Sequence, residues 1–260
     1  MEGPVPLTVI SPVMLERGSF FDFPALQANW VFILDGQITL HYKDQQYPLR
    51  KSFLIPHYNY TIRTTTSSGC KAIVVRFPPF SYFALRPFVH LSARELSSQK
   101  VFLAEDIFGS SFQALKDRLA ITPNVSQQNA YLQSYLQVGQ RPEGYHISRM
   151  QSILDHIDQS YDFSYRVDEL CQTHHITPRT LNRYFYEYLG TSPKYYLREH
   201  RFSRILRQLL TVPGDPWKTA VEFGLTDQNH LIKEVKAFTG FTPSEIPNEL
   251  HAAAHYTLGQ

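Results

Sequence analysis

Cysteine is scarce in this chain. Cys70 and Cys171 are its only two, they fall in different halves, and they have no metal-ligand spacing. Both are expected to remain reduced thiols in a cytosolic protein. No stretch approaches the ~18 continuous apolar residues of a membrane span. Residues 1–13 lack the basic segment and the apolar core, about 7–15 residues long, of a secretory leader. A soluble cytoplasmic protein with no membrane partner is the expectation. Strong charge is also missing. The net charge is +2, so any basic surface for nucleic acid has to be local. Residues 1–90 contain no His-X-His, His41 and His57 stand alone near strands, and there is no Gly-rich phosphate loop or nucleophile elbow. A metal centre, a cofactor and an enzyme activity are therefore not expected.

What remains is rich in apolar groups. Apolar residues make up 43% of the 260, with 16 Tyr and 18 Phe, while charged residues reach only 18%. A disordered chain is excluded by that balance, and the length suits two domains of about 100–200 residues.

Residues 1–90 read as strands. Trp30-Val-Phe-Ile-Leu34 and Gln37-Ile-Thr-Leu-His-Tyr42 flank Asp35-Gly36, which supplies positive φ angles, so a hairpin is expected there. Gln46–Leu49, Ser52–Ile55, Tyr60–Arg63 and Cys70–Phe77 follow at close spacing, which predicts a small antiparallel barrel or sandwich. After Pro87 the apolar period becomes helical, over Ser92–Glu95, Ile107–Leu119 and Asn129–Val138. Phe108, Phe112, Leu115 and Leu119 share a face that is a candidate dimer contact. Gly139-Gln-Arg-Pro-Glu-Gly144 reads as a linker. The expected division is a sensor and dimerisation half over 1–140 (barrel 1–90, helices 91–140) and a helical half over 146–250.

Two segments of the helical half, 167–189 and 218–240, share one layout: a short helix, a turn, a second helix starting at Thr, then Gly followed by Ser/Thr-Pro. In the first, Thr177 suits an N-cap and Pro178 the first helical position, where its missing N–H is harmless. Leu181, Phe185 and Tyr188 or Leu189 then point inward. Arg179, Asn182, Arg183 and Tyr186 share the opposite face, where Arg suits guanine or phosphate and Asn suits adenine. In the second, Thr226 is the expected N-cap, with Leu231, Val235 and Phe238 inward and Gln228, Asn229, Ile232 and Lys233 outward. A helix over Lys194–Leu210 joins the units, long enough to hold two recognition helices near one DNA turn apart. Residues 149–250 carry twelve Lys/Arg against thirteen Asp/Glu, but Arg179, Arg183, Lys194, Arg198, Arg201, Arg204 and Arg207 cluster against only Glu187 and Glu199. Arg201 and Arg204 are expected to pair with those carboxylates or touch phosphate, and Tyr184, Phe185, Tyr195 and Tyr196 to be core.

On these residues the segment Leu170–Glu245 resembles the DNA-binding domain of AraC/XylS-type transcription regulators. The matching blocks are Thr177-Pro-Arg-Thr-Leu-Asn-Arg-Tyr-Phe185, Gly190-Thr-Ser-Pro-Lys-Tyr-Tyr-Leu-Arg198, Ala220-Val-Glu-Phe-Gly224, Thr226-Asp-Gln228 and Gly240-Phe-Thr-Pro-Ser-Glu245. Departures are His175 where the first turn usually has Gly, Thr219 for an apolar residue, Leu225, Leu231 and Val235 for Phe, and Pro247 for a basic residue. The resemblance implies binding of double-stranded DNA in two successive major grooves near a promoter, with activation through RNA polymerase. By position it implies base contacts from Arg179, Asn182 and Arg183, then from Gln228, Asn229, Ile232 and Lys233.

Residues 20–90 are similar to the cupin-like sensor half of some regulators of this type, which bind a small effector, dimerise, or both. The expected fold class is thus α+β, a small antiparallel cupin-like β-barrel with following helices, then an all-α domain with two helix-turn-helix units. Weak candidates for lining an effector site are Trp30, Phe32, Tyr42, Phe53 and Tyr60. Two further readings stay open: a DNA-binding regulator governed by a protein partner or by its own expression level, and a cupin-type enzyme fused to DNA-binding helices.

Overall fold

The computed structural model describes residues 8–15, 19–22, 28–42, 45–56, 61–77, 101–109, 111–122, 124–136, 145–160, 166–211, 218, 221, 223–225 and 227–246. Among the described residues the first half holds nine strands, followed by helices. The strands are β1 (Thr8–Leu15), β2 (Ser19–Asp22), β3 (Ala28–Asp35), β4 (Ile38–Tyr42), β5 (Gln45–Leu49), β6 (Phe53–Ile55), β7 (Ile62–Thr66), β8 (Cys70–Phe77) and β9 (Phe102–Leu103). They form two antiparallel sheets, ordered β1-β8-β3-β6-β9 and β2-β7-β4-β5. The chain changes sheet at most steps, but β4 and β5 are neighbours in one sheet and β8 and β9 share the other. The expected α+β class and antiparallel character hold, but the described strands make two packed sheets and no closed barrel.

The Asp35-Gly36 turn is where the sequence put it. Gly36 sits at φ +84, and a Cβ there would meet Cys70 Cα at 2.9 Å. The flanking strands nevertheless do not form a hairpin: β3 pairs with β6 and β8, and β4 with β5 and β7. The reason lies in β3 itself. Asn29 to Ile33 are buried without a break, so this strand needs cover on both faces and a neighbour at both edges, and β4 is sent to the opposite sheet.

Side-chain alternation along β3 then separates two cores. Val31 and Ile33 pack with Ile38, Leu40, Phe53, Ile55, Ile62 and Ala72 between the sheets. Trp30 and Phe32 point the other way, under three helices, α1 (Ala104–Phe108), α2 (Ser111–Ile121) and α3 (Val125–Leu136). The single helix expected over Ile107–Leu119 is broken at Gly109, φ +63. Trp30 stacks on Phe108 with centroids 4.1 Å apart and lies 5.7 Å from Phe112. Gln128 Nε2 of α3 ties off the end of α2, donating to the main-chain oxygens of Leu119 and Thr122 at 3.2 and 2.6 Å. Phe108, Phe112, Leu115 and Leu119, read from the sequence as a dimer face, are all buried against the chain's own sheet. The helical reading of Ser92–Glu95 and the linker 139–144 lie outside the described residues.

The second half contains α4 (Tyr145–Gln159), α5 (Val167–Thr173), α6 (Pro178–Leu189), α7 (Pro193–Thr211) and α8 (Gln228–Thr239). Two cores share α7. Tyr196 closes the first, with Met150, Ile153 and Ile157 of α4, Leu170 of α5, and Leu181 and Phe185 of α6. Phe202, Ile205 and Leu206 serve the second, with Phe223, Leu225, Leu231, Val235 and Phe238. At 19 residues α7 is about 28 Å long. The sheet half meets the second core where Thr61 Oγ1 donates to the main-chain oxygen of Phe238 at 2.8 Å.

Candidate nucleic-acid interface

The first unit is α5, a turn, and α6. Its entry is set by Glu169, whose carboxylate accepts from the main-chain N–H of Arg166 at 3.0 Å. Thr177 caps α6, its Oγ1 accepting from Thr180 N at 3.2 Å, and Pro178 follows at the first helical position. Gly190 closes the helix in the left-handed conformation, φ 69 and ψ 12. The apolar period of α6 puts Leu181, Tyr184, Phe185, Tyr188 and Leu189 in the core. Arg179, Asn182, Arg183 and Tyr186 are left exposed on one face. Asn182 Nδ2 donates to Pro178 O at 2.9 Å, which orients its amide along the helix.

The turn between α5 and α6 departs from what a side chain prefers. His175 sits at φ +49, the one described non-glycine residue with positive φ. Such a conformation favours glycine because Cβ crowds the following carbonyl. The turn is clamped from α4. Arg149 Nη2 donates to the carbonyls of His174 and His175, the latter at 3.1 Å. His156 Nδ1 of α4 lies 3.0 Å from His174 Nε2, a hydrogen bond that needs one of the two nitrogens unprotonated. Burial pushes the pKa of His174 below its usual value, and His156, Arg149 and His175 lower it further. Sequence reading flagged His175 but missed Arg149 and His156, since they lie about 20 residues or more upstream and only the fold brings them to the turn.

Of the second unit, residues 218 and 221 are described as helical, followed by turn residues 223–225 and α8. The cap of α8 is Asp227, whose Oδ1 accepts from His230 N at 2.7 Å. This corrects the expected Thr226 cap: the helix begins one residue later, at Gln228, and a carboxylate outranks a threonine hydroxyl as an N-terminal acceptor. Thr226 itself lies outside the described residues. Gln228, Asn229 and Lys233 are exposed, and Ile232 is half-buried beside them. Leu231, Val235 and Phe238 occupy the core as expected, and Gly240 closes the helix at φ 82.

Charge on α7 is divided between structure and surface. Arg198 Nε donates to both carboxylate oxygens of Glu234 on α8, at 3.2 and 3.0 Å, and its guanidinium lies 4.9 Å from the Phe238 ring centre. Arg204 Nη2 donates to the main-chain oxygen of Asp158 at 2.6 Å. Lys194 and Arg207 are exposed. Tyr196 is fully buried, and its phenol is pushed up by that burial and by Asp158 and Glu199.

Of the weak effector candidates, Trp30 and Phe32 are brought together, ring centroids 4.4 Å apart, and the other described ones are elsewhere. Phe53 lies between the sheets, Trp30 and Phe32 lie beneath the helices, Tyr42 is half-buried at the end of β4, and Tyr60 is outside the described residues. Among the described residues no group of three metal-ligating side chains occurs, and no helix is long and apolar enough to cross a membrane.

A family model described as a helix-turn-helix domain matches residues 170–248. Residues 170–248 are therefore a helix-turn-helix domain, of the type found in AraC-family transcription regulators. No curated protein matches the chain by sequence. Among solved structures, ToxT from Vibrio cholerae is similar over 95% of this chain and 98% of its own, with 11% identity and a TM-score of 0.53. A wild-type ToxT from strain SCE256 bound to an unsaturated fatty acid gives 13% identity and a TM-score of 0.52, over 94% of this chain and 96% of its own. A ToxT bound to (E)-4-(8-methylnaphthalen-1-yl)but-3-enoic acid gives 12% and 0.52, over 98% and 99%. At these identities the likeness is one of fold: an antiparallel-sheet half followed by a helical half.

Proposed function

We propose that this protein is a sequence-specific transcription regulator, probing two successive major grooves with α6 and α8 and activating promoters through contact with RNA polymerase. One observation carries the reading. The face of α6 opposite its core is polar and open, with Arg179, Asn182 and Arg183 side by side above a helix start held by Thr177 and Pro178. Arginine reads guanine O6/N7 and asparagine reads adenine N6/N7, and neither role needs an induced change in the helix. On α8, Gln228, Asn229, Ile232 and Lys233 take the second groove.

Arg179→Ala tests the reading. A base-reading Arg179 costs about 1–3 kcal/mol on removal and relaxes preference at one base position. A loss uniform over all sequences, with a shallower salt dependence, makes Arg179 a phosphate contact instead.

The sheet half is proposed to sense a small effector. The ligands named for two of the ToxT structures are both carboxylic acids with apolar bodies, so that class is the first to try. Thr61 touching Phe238 at the end of α8 gives a route by which the sheet half biases the second unit. A ligand acts there only if it binds one arrangement of the halves better than another. Saturable thermal stabilisation by a long-chain carboxylic acid, without effect from its methyl ester, supports this. No stabilisation favours control by a protein partner or by expression level.

A further inference from the structure

The face of α6 holds a fourth side chain to which no role has yet been given. Tyr186 is 49% exposed, whereas Tyr184 and Tyr188 of the same helix are buried at 2% and 5%. With about 100° per residue, Asn182, Arg183 and Tyr186 stand roughly −60°, +40° and −20° from Arg179. Tyr186 is therefore central on the outward face. It lies about 10 Å along the axis from Arg179, two turns toward the C-terminal end of α6. Glu187, also exposed, stands roughly +80° round on the same turn. Its carboxylate repels phosphate, so this turn of α6 is poorly suited to gripping the backbone.

A major groove offers an apolar side chain one group to bind, the thymine C5-methyl. We infer that Tyr186 is a specificity-determining residue that packs its ring on a thymine methyl within the first DNA box, next to the bases read by Asn182 and Arg183. The inference rests on the proposed DNA-binding reading and assigns it one further base position. The ring makes the contact, so phenylalanine serves equally. Tyr186 does not belong to the hydrophobic core that Tyr184, Phe185, Tyr188 and Leu189 of this helix enter.

The test separates the two levels. A box is first recovered by selecting bound duplexes from a random pool with the full-length protein. Each thymine in the first box is then replaced by uracil, which deletes only the methyl group. Wild type is expected to lose about four-fold in affinity at one thymine, the effect of burying one methyl-sized group. Tyr186→Ala is expected to bind the thymine and uracil duplexes alike, and Tyr186→Phe to discriminate as wild type does. An unchanged thymine preference in Tyr186→Ala, or no uracil-sensitive position in wild type, overturns this inference and leaves the regulator reading standing. Failure of wild type to enrich any box overturns that reading, and this inference falls with it.

Discussion

Arg198 stands in a run of cations that the sequence suggests for phosphate contact, yet the fold uses it inside the protein. Replacing it with alanine removes both donations to Glu234 and the guanidinium over Phe238. The Glu234 side chain is 13% exposed, so its carboxylate is left largely desolvated. His230 Nε2, at 3.8 Å, is a poor substitute. Stranding a charged acceptor costs about 1–3 kcal/mol, and the lost ring contact adds about 0.5–1. A destabilisation of about 2–3 kcal/mol follows for Arg198→Ala. With a urea slope of about 1–3 kcal/mol/M, the unfolding midpoint falls by about 1–2 M. The double variant Arg198→Met with Glu234→Gln removes both charges and is expected to recover most of that loss. The salt dependence of DNA affinity gives an independent readout. Each phosphate contact contributes about 0.9 to the slope of log K against log salt, and Arg198→Ala is expected to leave the slope unchanged. An unmoved midpoint together with a slope shallower by about 0.9 refutes the argument and returns Arg198 to the phosphate surface.

Three other outcomes follow from the same contacts. Asp227→Ala removes the acceptor for His230 N and is expected to cost about 1 kcal/mol in urea unfolding, with Asp227→Asn losing little. Arg149→Ala releases the carbonyls of His174 and His175 and is expected to cost about 1.5–3 kcal/mol, with faster amide exchange across the turn. The pKa of His174 is lowered in the fold, so folding favours its neutral form. Stability is then full above the unfolded value of about 6.5 and declines as pH falls from there toward the depressed folded value. Urea midpoints from pH 7.5 to 5 should fall in wild type and fall less in His174→Gln; equal slopes count against a His174 whose burial disfavours its charged form.

The helical half was largely legible because its signals are local. Thr177-Pro178 and Gly190 fall at the observed start and stop of α6, and a 3.6-residue period sorts Leu181 and Phe185 from Arg179 and Asn182. The left-handed His175 was legible too, as a side chain in a place that wants glycine. What escaped depends on distance along the chain. The partners of His174 and Arg198 come from other helices, and no periodicity points to them. The cap of α8 was misplaced by one residue because Thr226 and Asp227 both suit an N-cap, and only backbone geometry chooses between them. In the sheet half β3 to β8 were placed from the sequence, β1, β2 and β9 were not singled out, and the expected β3–β4 hairpin does not form. Alternation along β3 shows that it has two faces. It does not show that Trp30 meets helices more than 70 residues later while Val31 meets the opposite sheet. Phe108, Phe112, Leu115 and Leu119 looked like a free stripe for the same reason: the surface that covers them is β3 and its neighbours.

The central claim is that α6 and α8 read DNA together, and selection of bound duplexes from a random pool at near-physiological salt tests it most directly. Two boxes about one helical turn apart, the first degraded by Arg179→Ala and the second by Asn229→Ala, are the predicted result. No enrichment by the full chain, with or without a long-chain carboxylic acid present, contradicts it.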